Sequence, residues 1–343
     1  AIQEAYLGLD PQETLVRAQM GLEGVETSLH AEEPENAEPA AASALASLFA
    51  RADGDQPPNF YTGYEATDEL LCGMRRQELV IVAARPSHGK TMYLLNLARK
   101  LAVQQTHKVL FFSLEMSEGQ CLERMLSAMG NVNGNHIRNA MLTYQERVSL
   151  HDAAEEFANA ELWFDSSPDR TINAIRSVTR RHRAKHGLDI VMVDYLQYVT
   201  PAEGRGGHRK RHEEIGHISR GLKMMARQED VLVISAAQLN REAEGQQTIP
   251  RLSHLRESGS IEQDADVVMA LHCPWRYAKN QEEYDQLQGK MQMHLLKQRN
   301  GPVGQVEMMS QEVFCLIEEP VQQPSTSYQS GGSSYSNGHT PVD

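Results

Sequence analysis

A chain of 343 residues, 40% hydrophobic and 23% charged, is long enough to bury one large core or two modest ones, and its composition is that of an ordinary globular protein. Its net charge of −13 excludes a uniformly basic nucleic-acid binder, although residues 1–58 hold eleven acids against two bases and leave only −4 for the rest. No apolar run reaches membrane-spanning length, no basic-then-apolar leader opens the sequence, and the scattered Cys72, Cys121, Cys273 and Cys315 make neither a metal pair nor a disulfide framework; a cytoplasmic protein with no membrane partner is expected.

The first predicted element is a helix opened by Asp10-Pro11-Gln12-Glu13, where Asp10 caps, Pro11 suits the first turn and Glu13 closes a capping box. Leu15, Ala18, Leu22, Val25 and Leu29 then form one stripe, which either packs on its own domain or docks on a neighbouring subunit. Residues 31–58, rich in acid, alanine and proline, read as a linker holding a short Ala-rich helix. From 59 to 320, apolar strands near 79–84, 108–113, 189–194, 231–236 and 266–272 alternate with helical segments. That pattern predicts one α/β domain, a mainly parallel sheet covered by helices on both faces. Strand-like text at 290–297, 303–308 and 313–317 predicts an antiparallel extension, and the low-complexity tail 321–343 is expected to be disordered.

Chemistry first enters at ARPSHGKT, Ala84 to Thr91, in a strand–loop–helix context. The phosphate-loop pattern asks for glycine at its first position; Ala84 costs little there if its φ stays negative. Backbone N–H groups of the loop, through Ser87 and Gly89, and the helix N-terminus suit phosphates. Lys90 supplies charge to the β- and γ-phosphates, and the Thr91 hydroxyl suits magnesium. His88 is expected as an exposed loop side chain. In IVMVDYLQ, four apolar residues end at Asp194, a carboxylate placed to face that magnesium. In KVLFFSLEMS, Glu115 follows a strand end, where a carboxylate can orient and deprotonate an attacking water.

Two basic runs follow different logics. TRRHRAKHG, Thr179 to Gly187, ends a helix and complements its dipole. GRGGHRKRHEE, Gly204 to Glu214, reads as a mobile loop carrying Arg205, Arg209, Lys210 and Arg211. Either it tracks phosphates without sequence preference or it is a solvated surface loop.

Taken together, ARPSHGKT, FFSLEMS, VMVDYLQ, SAAQLNRE, LRESGSIEQDADVV and KQRNGPVG resemble, in order and spacing, the DnaB-type replicative helicases over about residues 60–318. The resemblance implies a RecA-like P-loop ATPase core and a homo-hexameric ring using ATP and Mg2+. It further implies 5′→3′ movement on single-stranded DNA, unwinding at the replication fork, and a primase or helicase-loader partner. It places Lys90 and Thr91 on phosphate and magnesium, Glu115 as the catalytic glutamate, Asp194 as the second-motif acid and Gln238 as a γ-phosphate sensor. Lys297 and Arg299 match the basic pair donated across the subunit interface, although Arg299 also reads as a surface charge. Arg256, Glu257 and Gly259 match positions on the DNA backbone, with Arg256 alternatively pairing with Glu257 or Asp264. The family's N-terminal helical domain does not fit within 58 residues, and the 11–29 helix would be the linker helix that docks on the next subunit. The competing expectations are a filament-forming RecA-like recombination or repair ATPase, or a non-unwinding ATPase switch or loader. KQRNGPVG and LRESGSIEQDAD favour the helicase.

Overall fold

The computed structural model describes residues 37–53, 59–168, 170–200, 211–240 and 249–320. The predicted helix at 11–29, the basic residues 201–210 and the tail from 321 lie outside them. The chain divides into two units between Pro58 and Asn59. In the first, helix α1 (Ala37–Ala52) is alanine-rich, as its helix propensity demands, and longer than the short helix expected. Leu45, Leu48 and Phe49, three and four residues apart, are 50%, 52% and 59% exposed and form an uncovered apolar stripe on that helix.

The second unit begins with α2 (Glu65–Leu71) and then winds β1 (Leu79–Ala84), α3 (Lys90–Arg99), β2 (Val109–Ser113), α4 (Glu118–Gly130), α5 (Gly134–Arg138), α6 (Tyr144–Ala158), β3 (Leu162–Asp165), α7 (Ile172–His186) and β4 (Ile190–Asp194). It continues through α8 (Arg211–Gln228), β5 (Leu232–Gln238), α9 (Gly259–Asp264), β6 (Val267–His272), α10 (Gln281–Leu287), β7 (Lys290–Gln298), β8 (Gly304–Gln311) and β9 (Leu316–Glu318). One nine-stranded sheet results, in the order β3-β2-β4-β5-β1-β6-β7-β8-β9. Its first six strands are parallel and the last three antiparallel. The α/β class and the antiparallel extension are as expected; β3, at the sheet edge, is an addition to the expected strands.

Strand side chains alternate between two cores. Val80, Val82, Phe111, Met192 and Ile234 face Leu94, Leu97 and Leu101 on one side. Leu79, Ile81, Phe112, Val191 and Val233 face Ile175, Ile218 and Leu222 on the other. Burial on both faces explains why these strands read as unbroken apolar runs. Each such side chain stabilises the fold by about 1.5–3 kcal/mol before entropy is counted.

Local chemistry sets the helix starts. Ser117 with Gln120, and Thr143 with Glu146, form capping boxes at α4 and α6. Thr171 caps α7, whose last turn holds Arg183, Lys185 and His186 at the negative dipole end, as expected of TRRHRAKHG. Arg180 and Arg183 also pair with Glu229.

Candidate nucleotide site

The carboxyl ends of four adjacent parallel strands carry the site. Ala84 ends β1 in register with Gln238 of β5, and Ser113 of β2 is in register with Asp194 of β4. Leu114 N–H donates to the Asp194 carbonyl at 2.9 Å, which holds the Glu115 segment beside the β4 end. Loops that leave one edge of such a sheet converge on one crevice. Here it is a cleft of about 670 Å³, lined among others by Ser87, Gly89, Lys90, Thr91, Glu115 and Gln238.

Ala84 is a buried strand residue, and its φ is not among the positive ones. The alanine therefore sits without strain where the pattern asks for glycine. The tight turn falls further on, at Ser87 with φ 64° and Gly89 with φ 79°. Glycine suits the left-handed backbone at 89, and a Cβ there would also press on the flexible Met291 Cε at 3.1 Å.

Lys90 begins α3, and its Nζ lies 3.6 Å from the centroid of the Tyr195 ring. Burial pulls its pKa down, while Asp194 and Glu115 hold it up. Asp194 is wholly buried. Burial raises its pKa against the Thr91 hydroxyl and the Lys90 ammonium, and neither carboxylate oxygen has a hydrogen-bond donor of regular geometry. Both shifts share one cause, loss of water around a charge, and both would be relieved by counter-charges: phosphate oxygens at Lys90 and a cation at Asp194. Two orphaned carboxylate oxygens beside a hydroxyl fit a hard divalent ion, which Thr91 and Asp194 would hold. Glu115 is exposed on the cleft and open to water. Gln238 is fixed by a two-way bond: its N–H donates to Gln197 Oε1 and its carbonyl accepts from Gln197 Nε2, both at 3.2 Å.

Lys297 and Arg299 do not line this cleft. Lys297 Nζ donates to the carbonyls of Glu262 and Ala265, and Arg299 to that of Gln263, all at the C-terminal end of α9. Arg299 also pairs with the buried Asp266 carboxylate at 3.3 Å. Of the proposed DNA residues, Arg205, Arg209 and Lys210 lie outside the described residues. Arg211 is corrected from loop to the first turn of α8, where Glu213 and Glu214 complement the dipole. The expected second loop ends sooner than His254, because Leu252–Ser258 forms a 3-10 helix containing Arg256 and Glu257, and Gly259 opens α9. The side chains of Arg211, Arg256 and Glu257 are outside the described set.

His88 is the clearest correction. Expected to be an exposed loop side chain, it is 4% exposed and hydrogen-bonded on both ring nitrogens, to Cys273 and Tyr277. Tyr195, Gln197 and the cleft-lining Arg276 are further additions to the residues expected from sequence. Tyr195 and Gln197 stand inside the quoted VMVDYLQ, so adjacency to Asp194 is the available signal; nothing marks Arg276.

His88 stacks with His272, which meets His294, amid Tyr277, Arg85, Arg276 and Cys273. Burial, then neighbouring positive groups, lowers His88 to about 3 and His272 to about 4; burial also lowers His294. An unfolded chain takes up these protons near pH 6.5, so folding stability is full above that pH and falls as pH drops toward the folded values. Each histidine contributes a loss of about 1.4 kcal/mol per pH unit across the window. Asp68, Glu78 and Asp194, raised by burial, act in the opposite sense. Urea midpoints should fall between pH 6.5 and 5, and less steeply in His88→Asn; equal slopes in the two proteins would contradict the buried neutral His88.

The family described as "DnaB-like helicase C terminal domain" matches residues 60–319. The chain is 40% identical over 249 residues to "Replicative DNA helicase DnaB" of Geobacillus stearothermophilus, covering 72% of this chain and 53% of that protein. It is 39% identical over 249 residues to "Replicative DNA helicase DnaC" of Bacillus subtilis (strain 168), with the same coverage. The chain thus spans about half the length of the curated relatives it matches. Among solved structures, an isolated ATPase domain superposes with a TM-score of 0.74 at 32% identity, covering 81% of this chain and 98% of that one. "The Structure Of A DnaB-Like Replicative Helicase And Its Interactions With Primase" gives a TM-score of 0.74 at 30% identity, covering 92% of this chain and 74% of that one. On the match across 60–319 and the identity to these relatives, the chain belongs to the DnaB-like helicase C-terminal domain family.

Proposed function

We propose that this chain is the ATP-hydrolysing motor of a hexameric replicative DNA helicase that moves 5′→3′ on single-stranded DNA and unwinds the duplex at the fork. The observation that carries the reading is the convergence of Lys90, Thr91, Glu115 and Gln238 on one cleft at the ends of four adjacent strands, with the buried Asp194 carboxylate beside Thr91 and Lys90. Loop N–H groups and Lys90 bind the triphosphate, and Thr91 with Asp194 hold Mg2+. Bound there, it would supply positive charge to the phosphate groups. Glu115 orients the attacking water and takes its proton. Gln238, at the strand end leading to residues 241–258, senses the γ-phosphate for the DNA side. Lys297 and Arg299, anchored away from their own cleft, serve the site of the next subunit.

The two proposed DNA segments share one support. α8 follows the basic run and α9 opens at Gly259; a Cβ on Gly216 of α8 would lie 2.4 Å from Ser260 Oγ, so the helices touch where only glycine fits. Ser219 Oγ also donates to the Asp264 carboxylate. In the N-terminal unit, the exposed stripe of Leu45, Leu48 and Phe49 on α1 is apt for docking on the next subunit, a role the sequence placed at 11–29. A primase or loader partner, and action in the cytoplasm, accompany this reading. Among the described residues no helix is long and apolar enough to cross a membrane.

With Mg-ATP, the protein should form closed or lock-washer rings by electron microscopy and displace a strand from a forked duplex. Its affinity for single-stranded DNA should fall on the order of a thousandfold between 50 and 200 mM salt, as backbone binding by about six phosphate contacts requires. Helical filaments on DNA without rings would replace this reading with the recombination ATPase.

A further inference from the structure

His88 stands two residues before Lys90, inside the phosphate loop, yet its side chain points into the protein. Its Nδ1 accepts from the Cys273 backbone N–H at 3.0 Å, which puts the ring proton on Nε2; Nε2–H then donates to the Tyr277 hydroxyl at 3.1 Å. The Cys273 thiol reaches back to the His88 carbonyl at 3.8 Å. Tyr277 also accepts from the Arg85 guanidinium, whose Cζ lies 5.3 Å from the centre of its ring. One short segment, 273–277, thus grips the loop at both Arg85 and His88. That same segment carries Arg276, which packs on Trp275, pairs with Glu312, and lines the nucleotide cleft together with it.

We propose that His88 is a positioning residue for the nucleotide: by tying the phosphate loop to residues 273–277, it fixes the span of the cleft between Lys90 and Arg276. The residues on either side of it, Ser87 and Gly89, both hold left-handed backbone, and Ser87 does so with a side chain. Such a turn persists only where its surroundings over-determine it, and His88 supplies that constraint. A loop that must aim several N–H groups at one phosphate loses affinity when it loosens by a fraction of an ångström. The ring matters because its contacts leave from opposite edges. Asn at 88 reproduces only the acceptor for Cys273, and Met fills the volume with neither bond.

The inference rests on the nucleotide reading of the cleft, so both are tested together on the full chain with a fluorescent ATP analogue and Mg2+, alongside steady-state hydrolysis. His88→Met should weaken binding and raise the KM for ATP about tenfold, with kcat within about threefold, the scale expected for losing two hydrogen bonds. Tyr277→Phe, nearly isosteric, should cost about threefold. In the double variant the two losses should add to less than their sum, because only the Arg85 bond of Tyr277 is left to lose, and His88→Asn should recover part of the loss. If His88→Met binds as tightly as wild type while only its melting temperature falls, His88 is merely structural and the proposal is overturned. A full additional loss from Tyr277→Phe on the His88→Met background overturns it as well. Wild-type binding that survives Lys90→Ala removes the nucleotide reading and this proposal together.

Discussion

Glu115→Gln is expected to bind ATP about as tightly as wild type and to hydrolyse it roughly a hundred- to ten-thousandfold more slowly, the scale of a lost general base. The substitution keeps the shape and hydrogen-bonding reach of the side chain and removes only its capacity to take a proton. Placement makes Glu115 the candidate. It follows the end of β2, is held to the β4 end by the bond from Leu114 N–H to the Asp194 carbonyl, and is open to solvent where water must enter. Its charge reaches both Lys90 and Asp194, so it stands beside the groups that would hold the triphosphate and the cation. Lys90→Ala should differ in kind, losing binding as well as turnover, because it removes a half-buried positive charge from the phosphate position. Equilibrium binding and single-turnover hydrolysis separate the two. Hydrolysis by Glu115→Gln above about a tenth of wild type would move the base elsewhere, since a merely assisting carboxylate contributes less than the ~100-fold expected of a general base.

What the sequence discloses follows from how local each signal is. β1, β2, β4, β5 and β6 are legible because strands buried on both faces must be unbroken apolar runs. β3 is not, because Leu162–Asp165 is four residues long, lies at an edge and is only half-buried. The phosphate loop is legible as a motif, and Ala84 reads correctly as a harmless strand residue. His88 is misread because its partners, Cys273 and Tyr277, lie 185 and 189 residues away. Nothing within the loop distinguishes a histidine folded inward from one folded outward. Arg211 is misread for the opposite reason: the glycine and base run hides a helix start that Glu213 and Glu214 mark.

Arg299→Ala should keep ATP binding and lose on the order of a thousandfold or more in hydrolysis, the range for an arginine finger. The geometry restricts how this comes about. Arg299 is held by the Gln263 carbonyl and Asp266, outside its own cleft, and Lys297 is anchored beside it. The guanidinium therefore does not line the cleft of its own chain, and in the proposed finger role a second copy would supply it. A head-to-tail ring provides one such neighbour at every site. Mixing then gives a numerical test. Arg299→Ala subunits keep an intact Lys90 loop, and Lys90→Ala subunits keep an intact finger. In randomly mixed equimolar rings, about one interface in four joins an intact loop to an intact finger, so roughly a quarter of wild-type hydrolysis should return if sites fire independently, although each variant alone is inactive. Tight coupling around the ring lowers that fraction, and to zero if every site must fire in turn, because at most half of the sites in a mixed ring are complete. A finger acting within its own chain predicts none at all, because every subunit in the mixture then lacks one half of its site. Arg299 is half-exposed and the buried Asp266 keeps Lys223 as a partner at 2.6 Å, so its removal should shift stability by on the order of 1 kcal/mol, which the melting temperature of each variant checks. A mixture of folded, ring-forming variants that stays silent, while rings of wild type diluted with either variant keep activity in proportion to their intact sites, would therefore contradict donation across the interface, and it could not be blamed on unfolding.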